Sequence, residues 1–89
     1  MNTIQQPQSI ATYSTRDLYL SVVFILCGLQ LLRIENHTGK GVFIFKASDK
    51  IDEIIARYYS GELRFDPKNV FETWKTLKSR TYSTIGDVR

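Results

Sequence analysis

The longest apolar run in the chain, Leu18 to Leu32 (LYLSVVFILCGLQLL), constrains the fold more than any other feature. Wound as a helix it reaches about 22 Å, short of the roughly 30 Å hydrocarbon core of a bilayer. Gly28 and Gln30 also interrupt it. A secretory signal wants a basic start, whereas the segment before Arg16, MNTIQQPQSIATYST, holds no basic side chain. The run therefore reads as the central helix of a cytoplasmic domain with no membrane contact. Leu18, Val22, Ile25 and Leu26 share one face, and Leu20, Val23, Phe24 and Cys27 fill much of the rest. A helix apolar nearly all round is a buried helix. Ser14 is the expected N-cap, with Asp17 three positions on, for a helix over Thr15 to Cys27 ended by Gly28.

A chain of 89 residues has room for one such helix and a modest set of partners. With 43% hydrophobic residues, 24% charged, 5 Gly and 2 Pro, it is neither disordered nor collagen-like. Cys27 is the only cysteine, so no internal disulfide forms; with His37 the only histidine, a four-ligand Cys/His metal cage lacks its ligands. No cofactor is expected.

The remaining elements follow from local signals. Residues 1–9 are polar and read as a disordered tail, 10–82 as a single α+β domain, and 83–89 as a frayed end. Gln30 to Glu35 and Val42 to Lys46 read as two strands of a hairpin around the Asn36–Gly41 turn formers. Leu32 and Ile34 are expected on one face of the first strand, Arg33 and Glu35 on the other. The second strand, Val42-Phe43-Ile44-Phe45, is apolar on both faces and needs cover on both. Ile10 to Tyr13, or Leu63 with Phe65, are candidates for a third strand. Ser48 or Asp49 should cap a helix ending at Gly61, with Ile51, Ile54, Ile55, Tyr58 and Tyr59 at the spacing of one buried face. Asp66-Pro67 opens a third helix, N-cap and first turn, whose inner face carries Val70, Trp74, Leu77 and Thr81, with Phe71 at its margin. The expected fold is thus a short β-hairpin packed on three helices, in the order α-β-β-α-α. Asn36-His37-Thr38 fits a glycosylation sequon, and Thr12–Thr15 recurs as Thr81–Thr84; both read as coincidence.

Six short pieces of this pattern occur in a known order. They are Tyr13-Ser14-Thr15-x-Asp17-Leu18, then Gly28, Val42-Phe43-x-Phe45, Tyr58-x-x-Gly61, Asp66-Pro67 and Leu77-Lys78-x-Arg80-x-Tyr82. Together they resemble a family of small bacterial and phage domains of unknown function, over Tyr13 to Tyr82. The resemblance implies a prokaryotic or phage origin and a compact domain. It implies no catalytic residue, ligand or partner.

For chemistry, the chain offers little to a catalyst. It has no nucleophile elbow or phosphate-binding loop, and its one histidine falls in a turn. Asp49, Asp52 and Glu53 cluster at a helix start, where acids complement the helix dipole. The five tyrosines are expected to pack rather than to stack on bases. Charge is the uneven feature. Lys and Arg outnumber Asp and Glu by 12 to 9, and residues 67–82 carry the whole surplus as Lys68, Lys75, Lys78 and Arg80 against Glu72. At helical spacing Lys68 and Lys75 lie within about 20° of each other and Lys78 about 60° further round, away from Val70, Trp74 and Leu77. Two functions are weighed on this basis. The first is a non-enzymatic accessory or protein-interaction domain, bound to an unknown protein partner or as a homodimer through the two-faced strand and the hairpin edges. The alternative is weak, sequence-independent nucleic-acid binding by Lys68, Lys75 and Lys78.

Overall fold

The structure, a computed structural model, describes residues 10–86; the expected tail at 1–9 lies outside them, as do 87–89. Its elements run β1 (Thr12–Thr15), α1 (Leu18–Leu26), β2 (Leu31–His37), β3 (Lys40–Lys46), α2 (Ile51–Ser60) and α3 (Pro67–Ile85). The fold is α+β, with three helices packed on a three-stranded antiparallel sheet of order β1-β3-β2. The third strand therefore comes first in the chain and pairs with β3 from Thr12↔Lys46 to Thr15↔Phe43. Among the described residues no helix is long and apolar enough to cross a membrane.

That strand corrects the expected start of α1. Ser14 and Thr15 are strand residues, and the N-cap is Asp17, whose Oδ1 accepts from the backbone N–H of Tyr19 (2.9 Å) and Leu20 (3.1 Å). Aspartate caps a helix as well as serine does, so pairing with β3 decides which residue takes the position. The helix also ends earlier than expected, with Cys27 as its C-cap. Leu20, Val22, Val23 and Phe24 are buried between the sheet and the other helices. Ser21, fully buried beside them, is satisfied by donating its hydroxyl to Asp17 O at 2.9 Å.

The hairpin is longer and its turn tighter than its composition suggests. Only Thr38 and Gly39 separate the paired residues His37 and Lys40, with φ of 54° and 85°. Positive φ at both central positions matches the twist of the flanking strands, and Asn36 Oδ1 accepts from Gly39 N at 2.8 Å. Near its start β2 is irregular: Leu31 pairs with Phe45 but Arg33 with Ile44. This bulge puts Leu31, not Leu32, on the face of Ile34, and both pack against the core. Alternation along β3 sends Phe43 and Phe45 into that core and Val42 and Ile44 to the opposite face, beside the Arg33–Glu35 ion pair (2.7 Å). All four β3 side chains are buried, and β3 is the central strand. The two-faced strand expected to seek a partner is covered within the chain, and it offers no edge.

Ser48 still serves α2, accepting from Lys50 N through Oγ at 3.1 Å, although the cap position itself is Lys50. Gly61 ends α2 in the left-handed conformation. Ile51 and Ile54 are buried, but Tyr59 is 72% exposed and only leans edge-on against Tyr58, at 5.0 Å between ring centroids. It lies one residue beyond Tyr58, about 100° round the helix from the Ile54–Tyr58 line. Asp66 caps α3 through Lys68 N (3.0 Å), with Pro67 in the first turn. This helix continues through Ser83, where fraying was expected, to Ile85.

Candidate functional site

Two concave sites lie along one face of α3, one beside each half of the helix. Toward its N-terminal half, α3 stands off from α1 and α2 and leaves an apolar groove of about 400 Å3. Buried Val22 and Val23 form its floor, Val70 and Trp74 one wall, and Tyr58 and Phe65 the other side. Tyr19 and Phe71, 64% and 65% exposed, stand at its rim. The volume falls in the roughly 300–1,000 Å3 range of ligand sites. Exposed aromatics beside an apolar groove are what a binding surface needs, and a solvated face does not. Trp74 is half-buried and packs against the core as its spacing requires, yet its ring also walls the groove. Its Nε1 is buried with no hydrogen-bond partner among the described residues. Tyr58 lines the groove, and burial pushes its hydroxyl above its ordinary pKa, helped by the negative charge of Asp17.

Further along α3 lies a second pocket of about 280 Å3, lined by Arg16, Lys40 and Lys78 with Gly41, Thr81 and Tyr82 around them and Leu18 and Phe43 beneath. Three remote segments supply the cations: the β1–α1 connection, the start of β3 and α3. Gly41 lets the start of β3 approach α3. A Cβ there would stand 2.8 Å from Thr81 Cγ2, so only glycine lets the hairpin lie this close to α3. Thr81 is itself held, donating its hydroxyl to Leu77 O at 2.8 Å.

The expected lysine stripe divides between these surroundings. Lys68 and Lys75 are exposed. Lys78 is half-buried and does not point away from Trp74: one helical turn on, its Nζ lies 4.7 Å from the centroid of the Trp74 ring. Lys75 and Lys78 share a shallow concavity with Trp74 and Tyr82, whereas Lys68 lines neither main site. Sequence reading missed Arg16 and Lys40, because nothing in their local context announces a contact with α3. It missed Tyr19, expected to pack with the other tyrosines, and Phe71, placed by helical spacing at the margin of the inner face, as exposed rim residues.

Other candidates have local roles. Glu35 links Arg33 (2.7 Å) and His37 (2.7 Å), and these hydrogen bonds, the one to His37 first, hold its carboxyl below the usual range. Asp52 and Glu53 stand in the first turn of α2, with Glu53 3.8 Å from Arg57. Among the described residues no three His, Cys, Asp or Glu side chains gather as a metal site would require.

A family model described as Domain of unknown function (DUF5659) matches residues 10–83. The chain belongs to this family. The DUF5659 match takes in β1 to β3, α1, α2 and nearly all of α3, and so every residue of both pockets. It agrees with the resemblance carried by Tyr13 to Tyr82. No curated protein and no solved structure matches the sequence.

Cys27 provides a direct check on the α1 environment. Burial raises its thiol pKa, against a smaller opposing effect of Arg57, so less thiolate is present near neutrality. Labelling of the native protein by a disulfide reagent at pH 7.5 is expected to be slower than that of an unstructured cysteine peptide. In denaturant the two rates should converge. Equal rates under native conditions would contradict the packing at the end of α1.

Proposed function

We propose that this domain is a non-enzymatic interaction module, and that its apolar groove receives a helical segment of a partner protein, apolar on one face and acidic on its flanks. The groove between α1, α2 and α3 is the observation that carries the reading. Its lining offers packing surface and, beyond tyrosine hydroxyls and one indole N–H, no group for acid–base or nucleophilic work. Helix-in-groove recognition uses such a surface, with anchors at i, i+3, i+4 and i+7.

Charge selects the occupant. Residues 67–82 hold four basic side chains against one acid. The carboxylates of Asp17 and Asp66, at the starts of α1 and α3, are engaged as caps. An acid-flanked segment is attracted to this surface, whereas a second copy would bring the same positive helix against it. A heterotypic protein partner is thus favoured over the homodimer. Cytoplasmic residence and a prokaryotic or phage origin belong to the same proposal, supported by the single thiol and by the family pattern respectively.

Trp74, the only tryptophan, reports on the groove directly. A model peptide helix with leucines at i, i+3, i+4 and i+7 and glutamates on its flanks is expected to shift Trp74 emission saturably, with affinity falling as salt rises. Phe71→Asp should abolish the response without unfolding the protein, since Phe71 is exposed. Equal binding of a lysine-flanked peptide, or no saturable response to either, would overturn the reading.

A further inference from the structure

We infer that the pocket formed by Arg16, Lys40 and Lys78 is an anion site for a terminal phosphate group, a phosphomonoester. Three basic residues border one concavity, and among the described residues no acid lines it. Among the described residues none of the three forms an ion pair. The nearest acid in sequence, Asp17, already accepts two backbone N–H groups as the α1 cap. The Lys78 Nζ rests over the Trp74 ring at 4.7 Å, and exposed Arg16 and Lys40 are open to an incoming anion.

The arrangement favours a monoester over a run of backbone diesters. The basic residues border one pocket from three segments instead of tracking along a helix face. A terminal phosphate brings close to two negative charges near pH 7, and a diester only one. Arg16 can grip two phosphate oxygens side by side, while Lys40 and Lys78 act as point charges. The Thr81 hydroxyl is committed to Leu77 O, leaving the Tyr82 hydroxyl as a neutral donor at the pocket. Leu18 and Phe43 beneath give the phosphate-bearing body an apolar surface. This site shares no lining residue with the apolar groove, so the two proposals stand or fall separately.

The test is amide-shift mapping at low salt with phenyl phosphate, dimethyl phosphate, and a short oligothymidylate with or without a 5′-phosphate. Phenyl phosphate is expected to give saturable shifts confined to residues around Arg16, Lys40–Gly41 and Lys78–Tyr82, and to bind more tightly than dimethyl phosphate. Arg16→Gln, Lys40→Gln and Lys78→Gln should each weaken it about tenfold, as loss of a charge-assisted hydrogen bond predicts. Lys68→Gln, Lys75→Gln and Phe71→Asp should leave it unchanged. Gly41→Ala, which removes no charge, should also weaken binding by forcing the hairpin off α3, and Thr81→Ser, which removes the opposing methyl, should restore it. Tighter binding of the 5′-phosphorylated oligomer than of phenyl phosphate would identify a nucleic-acid end as the source, and the reverse order a small phosphorylated molecule. Equal affinity of the two oligomers, equal affinity of the two small phosphates, or no saturation at millimolar phenyl phosphate would each overturn the inference.

Discussion

Replacing Phe24 by alanine is expected to lower the melting temperature by more than about 12 °C and to leave a large unfolded fraction at 37 °C. Phe24 is wholly buried and joins three elements, meeting Tyr13 of β1 edge-on at 5.7 Å and Phe45 of β3 at 5.1 Å between ring centroids. Removing a core phenylalanine costs about 3–5 kcal/mol through lost burial and the cavity left behind. At about 0.05–0.15 kcal/mol per residue, a domain of this size has only some 4–12 kcal/mol in total. Each kcal/mol lost shifts the midpoint by roughly 4–8 °C in so small a protein. Thermal unfolding followed by circular dichroism gives the answer, with Tyr59→Ala as the exposed control that should melt like the parent. A fall under about 5 °C for Phe24→Ala would show that α1 is not the centre of the core.

Leu77→Ala should destabilise by about 2–5 kcal/mol and, more tellingly, disable both proposed sites together. Leu77 is 1% exposed and is the one buried residue of α3, a helix that otherwise touches its neighbours through half-buried side chains. Val70, Phe71 and Trp74 stand on one side of it in sequence and Lys78, Thr81 and Tyr82 on the other. Loosening this anchor frees the groove wall and withdraws Lys78 from Arg16 and Lys40. The peptide response and the phosphate shifts are therefore expected to weaken in parallel, whereas Phe71→Asp removes only the first and Lys40→Gln only the second. Faster hydrogen exchange along α3, with β2 and β3 still protected, would accompany the loss. Retention of both binding events at full affinity would mean that α3 is held by something other than Leu77.

The legible parts of the molecule are those whose signals are local. A run apolar all round, bounded by Asp17 and Arg33, has to be largely buried whatever surrounds it, and Leu20 to Phe24 of α1 are. Asp66-Pro67 opens α3 and Gly61 closes α2, because a cap and a left-handed residue act within a turn of their own position. The i, i+3, i+4 spacing of Ile51, Ile54 and Ile55 places α2 on the core. The bulge in β2 was not legible, since Leu31 and Leu32 are equally apolar and only the pairing with β3 determines which of them faces inward. The candidate site was half legible. Lys78 stands out in the charge distribution, but its neighbours Arg16 and Lys40 join it only through the close approach of Gly41 to Thr81.

One tetrapeptide marks the boundary between what the sequence settles and what the tertiary structure decides. Thr-Tyr-Ser-Thr is strand β1 at Thr12–Thr15 and lies within helix α3 at Thr81–Thr84. Intrinsic propensities for these residues differ by only tenths of a kcal/mol per residue, too little to choose between the two states. The first copy lies beside β3 and takes its hydrogen bonds there, from Lys46 back to Phe43. The second follows an anchored helix, where each added residue gains a backbone bond without a new nucleation cost. By itself the sequence determined a buried central helix, two capped helices, a hairpin and an excess of positive charge. Which edge β1 joined, which leucine turned inward and which three cations came to share a pocket were decided by contacts between residues far apart in the chain, whose energies no local pattern encodes.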